Sequence, residues 1–136
     1  MRRTRVAVFL HVVWATWDRL PLLTDHLTRD VHRAIGAKCE ELGAQVIAIG
    51  GVEDHVHLLV GFPATVTIAD LVGQAKGASA HLVTHQLAPG DFFKWQGAYA
   101  VYSINQTAVP RVADYIARQR EHHATGSLIT EWEDLS

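Results

Sequence analysis

The sequence predicts an α+β fold: a four-stranded antiparallel sheet with two helices on one face, and a further helix added after the last strand. Three observations predict it. Residues 55–62 alternate between apolar and other side chains, as a half-buried strand does. Two long stretches carry apolar residues at helical spacing and are closed by glycine or by Pro-Gly. The elements follow one another as β-α-β-β-α-β-α, with no internal repeat and no linker.

Residues 6–16 read as a long first strand, because Val6, Val8, Phe9, Val12, Val13 and Trp14 are β-branched or aromatic. After a turn around Pro21, Thr24 or Asp25 can cap a helix. Leu27, Val31, Ala34, Ile35, Cys39 and Leu42 then recur along it until Gly43. Val46, Ile47 and Ile49 form a short strand ended by Gly50-Gly51, and a tight turn at Glu53-Asp54 folds it against residues 55–62 as a hairpin. Pro63 and Thr65 introduce a second helix with Ile68, Leu71, Val72, Ala75, Ser79, Leu82 and Val83 on one stripe, running to about Leu87 before Pro89-Gly90. Gly73 and Gly77 inside it each cost up to ~1 kcal/mol relative to alanine, which close packing against a neighbour, the favoured reading, or close approach to a ligand would justify.

Residues 95–104 supply the fourth strand. The last helix starts near Ala108, tolerates Pro110 in its first turn and continues to about His123. A chain of 136 residues is then one domain, with its core over about 5–124 and a loosely held tail over 125–136. The first six elements fit a ferredoxin-like βαββαβ sandwich, to which the last helix is an addition.

Apolar residues make up 49% of the chain and charged residues 19%, which argues against extensive disorder. The single cysteine excludes an internal disulfide, and Cys39 lies on a helix stripe as a small core residue. Arg2, Arg3 and Arg5 ahead of an apolar run imitate a signal peptide, but His11 interrupts that run and no small-x-small cleavage site follows. No segment approaches the ~18 apolar residues that a membrane span needs, so the expected location is cytoplasmic. The net charge of −2 lacks the basic excess of most nucleic-acid binders, although Arg2, Arg3 and Arg5 cluster, as do Arg111, Arg118 and Arg120.

Chemistry enters with the His55-Val56-His57 strand. Val56, Leu58, Val60 and Phe62 share one face and can pack under the helices; His55 and His57 share the other. Their Cα atoms are then ~6.5–7 Å apart, near enough for both imidazoles to converge on one ion. Two polar residues on the wet side of a strand is the plainer reading, weakened because no other polar residue follows on that face. A metal would need a third ligand.

The last helix can supply one. Val109, Val112, Ala113, Ile116 and the stem of Arg120 mark its docking stripe. At ~100° per residue, Tyr115, Gln119 and His122 fall on one flank, with Tyr115 and Gln119 ~6 Å apart along the axis. Taken singly, Tyr115 reads as a core-edge tyrosine and Gln119 as an exposed polar residue. Laid across the open sheet face, the same helix presents a phenol and an amide oxygen to an ion held by the histidines.

Phosphodiester cleavage suits this set. It needs a nucleophile in line with the leaving oxygen and positive charge on the non-bridging oxygens. A phenol with pKa near ~10 is a weak nucleophile until a nearby cation assists it. A covalent phosphotyrosine conserves the bond energy for rejoining. No carboxylate other than Glu53 and Asp54 of the turn lies near the set, which favours strand transfer over hydrolysis.

With His11-Val12-Val13-Trp14 and Arg19, Asp54-His55-Val56-His57-Leu58-Leu59, Lys76-Gly77-x-Ser79, Trp95-Gln96-Gly97-x-Tyr99, and Tyr115-Ile116-x-x-Gln119-x-x-His122-His123 in that order, the chain resembles the IS200/IS605-type tyrosine transposases. The repeat-associated members of that family are included. The resemblance implies a homodimer that binds single-stranded DNA with hairpin ends. It also implies a 5′-phosphotyrosine intermediate and dependence on Mg²⁺ or Mn²⁺. Tyr115 is then the nucleophile, and His55, His57 and Gln119 are the metal ligands. Arg19, Lys76 and Arg120 are candidate DNA contacts. The chain departs from the family pattern at Trp17-Asp18, where many relatives carry a lysine ahead of the arginine that corresponds to Arg19. A non-catalytic DNA-binding protein, a metal-dependent hydrolase, an assembly module on the same fold and a replication or conjugative nickase are the alternatives.

Overall fold

The computed structural model describes residues 2–119, 123 and 126. Strand β1 (Phe9–Ala15) lies between β3 (His55–Gly61) and β4 (Ala100–Ile104), and β2 (Gln45–Val52) pairs with the far side of β3. All pairings are antiparallel, and the order β2-β3-β1-β4 is the ferredoxin-like one. The register sets Ala15 opposite His55 and Val13 opposite His57. His11 is therefore one side-chain repeat along β1 from the position facing His57, on the same face.

Helices α1 (Asp25–Glu41) and α2 (Ile68–Leu82) cover one side of this sheet. Leu27, Val31, Ile35 and Cys39 of α1 and Leu71, Val72 and Ala75 of α2 meet Leu10, Val12, Trp14, Val56, Leu58 and Val60 in the main core. Strict alternation along β1 and β3 thus sends every second residue to this core and leaves the others for the opposite face. There α3 (Val109–Ala117) lies on β2 and β3, with Val112 and Ile116 packed against Leu59.

The structure corrects several element boundaries. β1 begins at Phe9 rather than at residue 6, because Phe9 is the last residue with partners on both sides, Gly61 and Ile104. Thr67, not Thr65, caps α2, its hydroxyl accepting from the Asp70 amide at 3.1 Å. That helix ends at Leu82 and widens into a π turn over Val83–Leu87. Gly73 and Gly77 do not serve close packing: a Cβ on either meets nothing within 4 Å.

β4 starts at Ala100 instead of Trp95. Trp95 makes one isolated bridge to Thr16, and Lys76 Nζ binds the carbonyl oxygens of Gln96 (2.7 Å) and Ala98 (3.2 Å), drawing that stretch out of the ladder. The continuous helix expected to His123 is interrupted after Ala117, where Arg118 leaves helical geometry (φ −111°, ψ 29°); Gln119 and His123 are again helical. Arg120, His122 and, apart from Gly126, the expected tail over 125–136 lie outside the described residues. Among the described residues, no helix is long and apolar enough to cross a membrane.

Candidate active site

Two strands and one helix build the site. His55 and His57 stand on the α3 side of β3, each 0% exposed, with ring centroids 5.0 Å apart. From α3, Tyr115 sets its ring edge-on to His57 at 6.0 Å, and its side chain is buried beside the histidines. Past the turn at Arg118, Gln119 is also buried, and its Oε1 lies 3.3 Å from His55 Nε2. The sequence-predicted nucleophile and the three predicted ligands therefore gather in one place.

Helix α3 reaches this position because the sheet beneath it is cut away at Gly50. A Cβ there would collide with the carbonyl oxygen of Ile116, so β2 admits the end of the helix only as glycine. On the far side of His55, the His123 ring centroid lies 5.0 Å from the imidazole. A recess of about 430 Å³ beside Gln119 is lined by Thr28, His32, Gly50, Gly51 and Arg118.

Both histidines are held from behind through Nδ1. His55 Nδ1 is 2.7 Å from Asp54 Oδ1, while Arg19 Nε reaches Asp54 Oδ2 at 3.4 Å. Hydrogen bonding from His55 holds the Asp54 carboxyl below its ordinary range; partial burial opposes this, and the charges of His55 and Arg19 add to the lowering. An ionised carboxylate only accepts, so His55 donates Nδ1–H to Asp54 and points Nε2 at Gln119 Oε1; Nε2 would carry a free lone pair for an ion only once it has lost its own proton. His57 Nδ1 is 2.8 Å from Nε2 of His11, a buried residue of β1.

This donor set fits a divalent cation. Among the described residues no three His, Cys, Asp or Glu side chains are grouped to hold an ion, and the further oxygen beside His55 Nε2 is the amide Oε1 of Gln119. Its Nε2 is 3.4 Å from the Tyr115 carbonyl, which turns Oε1 toward His55.

Of the predicted DNA contacts, Arg19 and Lys76 are engaged within the protein, and Arg120 lies outside the described residues. Arg19 backs Asp54 and follows Asp18 in the left-handed region (φ 54° and 52°), a local cost of ~1–2 kcal/mol per residue that the Thr16 hydroxyl's 2.6 Å bond to the Leu20 carbonyl helps to hold. Lys76 ties down residues 96–98, and burial lowers its pKa. Arg118 pairs with Asp114 at 3.6 Å. The sequence reading gave no role to His11 and left Asp54 as a turn residue. The signal for His11 was present in the alternation of β1, which puts an imidazole on the site face.

The family model described as "Transposase IS200 like" matches residues 4–119, which include every residue of the site up to Gln119. The chain belongs to the IS200-like transposase family. Among the relatives of this transposase is the ISDra2 transposase TnpA of Deinococcus radiodurans, 26% identical over 82% of this chain and 83% of that one. The IS200 transposase of Salmonella typhimurium is 24% identical, over 96% and 88%. A crystal structure of a candidate transposase from Deinococcus radiodurans R1 superposes with a TM-score of 0.62 at 26% identity, covering 88% of this chain and 98% of that one. A REP-associated tyrosine transposase bound to a REP hairpin shares the fold, with a TM-score of 0.66 at 15% identity over 94% and 74%.

Proposed function

We propose that this transposase cuts and rejoins single-stranded DNA through a covalent 5′-phosphotyrosine on Tyr115. The observation that carries the reading is the convergence of Tyr115 and Gln119, on either side of the turn at Arg118, on His57 and His55 of the adjacent strand. In the reaction, the phenolic oxygen attacks phosphorus and forms the new P–O bond. The P–O3′ bond breaks, the phenol gives up its proton, and the 3′ oxygen takes one to leave as a hydroxyl. Attack by a 3′ hydroxyl on the phosphotyrosine reverses these steps and joins the strand.

His55, His57 and Gln119 would hold a divalent cation, Mg²⁺ or Mn²⁺. When bound, it supplies positive charge to the non-bridging oxygens and favours the ionised phenol. The substrate in this reading is DNA with hairpin ends, in keeping with the hairpin held by the REP-associated structure. A homodimer acting on two ends belongs to the same reading. Arg19, Lys76 and Arg120 stay candidate DNA contacts, the first two with the internal bonds described above.

The test is an adduct assay. Labelled single-stranded DNA from the repeats flanking the coding sequence is incubated with the protein and Mg²⁺ or Mn²⁺, then resolved under denaturing conditions. A denaturant-resistant adduct is expected with the wild type and none with Tyr115→Phe. Tight binding of the DNA without any adduct would replace this reading with a binding module.

A further inference from the structure

We propose that His11 is a positioning residue that fixes the tautomer of His57. In this arrangement His57 carries its proton on Nδ1 and donates it to His11 Nε2, which leaves the His57 Nε2 lone pair for coordination. The inference rests on the reading of His57 as a metal ligand.

Geometry supports it in three ways. The two nitrogens are 2.8 Å apart and both side chains are 0% exposed, so bulk water does not compete for the bond. The rings lie 5.1 Å apart at 29°, close to coplanar orientation. His11 also sits on β1, the strand paired on both edges, by β3 at Leu59 and by β4 at Tyr102, so its backbone cannot follow a shifting partner.

The other ligand shows the same design. Asp54 accepts a hydrogen bond from Nδ1–H of His55 and turns Nε2 toward Gln119. With His11 performing that task for His57, both imidazoles present Nε2, and the two are oriented from opposite sides of the site: one by a turn carboxylate, one by a strand imidazole. The reverse arrangement, with His11 donating to His57 Nδ1, would place the His57 proton on Nε2 and block coordination there.

Long-range ¹H–¹⁵N correlation spectra of the metal-free, ¹⁵N-labelled full chain read this tautomer directly. The expected result is a protonated Nδ1 and an unprotonated Nε2 on His57; a protonated Nε2 overturns the proposal. Mn²⁺ titration followed by electron paramagnetic resonance gives a second readout. His11→Phe keeps a ring but removes the acceptor, and it should weaken Mn²⁺ by about 10–100-fold, as loss of an orienting partner does elsewhere. His11→Gln restores an acceptor oxygen near the Nε2 position and should recover most of that loss. A folded His11→Phe protein that binds Mn²⁺ as tightly as wild type overturns the proposal. Should that variant fail to fold, the wild-type tautomer still decides. A wild type that shows the expected tautomer but binds no Mn²⁺ would overturn the metal reading and leave the tautomer assignment standing.

Discussion

The strand half and the helix half of the site are held in place by different means. His55 and His57 sit on β3, which pairs with β1 and β2 along its length, and each ring is fixed by a buried or half-buried partner, Asp54 or His11. Tyr115 and Gln119 ride on a helix that rests on the small cluster of Leu59, Val112 and Ile116 and turns out of helical geometry between them, at Arg118. The strand half is thereby rigid. The helix half rests on the smaller cluster, and in the proposed reaction a nucleophile that passes a DNA end from one partner to another is better placed on such an element.

Removing the phenol strikes the helix half hardest. Tyr115→Phe should bring covalent adduct formation to background while leaving Mn²⁺ affinity within about twofold of wild type, because the phenol is not among the three donors. An adduct that survives in the variant would move the nucleophile elsewhere. His57→Ala separates the halves from the other side: Mn²⁺ binding and adduct formation should both fall, the former by at least the ~10–100-fold typical of losing even an outer partner.

Gly50→Ala attacks the seat of the helix. The new methyl group would occupy the space of the Ile116 carbonyl oxygen, so α3 has to lift. Overpacking of this kind costs ~1–3 kcal/mol of stability, and a shift of ~1 Å at a nucleophile costs about 10²-fold in rate. Thermal unfolding and the adduct assay together check both. Wild-type behaviour in each would show that the close approach of α3 to β2 is not required for function.

The two halves also differed in how much the sequence disclosed. Alternation with period two is strict, so His55 and His57 on one face of a strand followed from Val56, Leu58 and Val60 on the other. The same rule placed His11, although a lone imidazole in an apolar strand gave no hint that it would bond to His57. The flank shared by Tyr115 and Gln119 was legible from helical spacing, but the turn at Arg118 was not. Likewise, the pairing of β1 with this stretch breaks between Gln96 and Ala100, where Lys76, a residue some twenty positions away, captures the carbonyls of Gln96 and Ala98. Boundaries set by such distant partners are invisible to local propensity, whereas the faces of regular elements are not.

Asp54 tests the strand half with a smaller change. Asp54→Asn keeps the shape and removes the charge that fixes His55, and Mn²⁺ affinity should fall by about 10–100-fold, with adduct formation following it. The acid dependence gives the finer reading. The Asp54 carboxyl is held below its ordinary value, chiefly by the hydrogen bond from His55. A carboxylate depressed in the folded state contributes stability that is complete above the unfolded value and is lost as pH falls through the lower folded value. The wild type should therefore lose this contribution only below about pH 4, the usual carboxylate range, whereas the neutral amide of the Asp54→Asn variant has nothing to lose there. Unfolding followed by circular dichroism from pH 6 to pH 2 should show the wild-type advantage shrinking toward zero at the acid end. An advantage that stays constant over that range would mean that Asp54 serves as a turn residue and leaves the orientation of His55 to Gln119 and the strand.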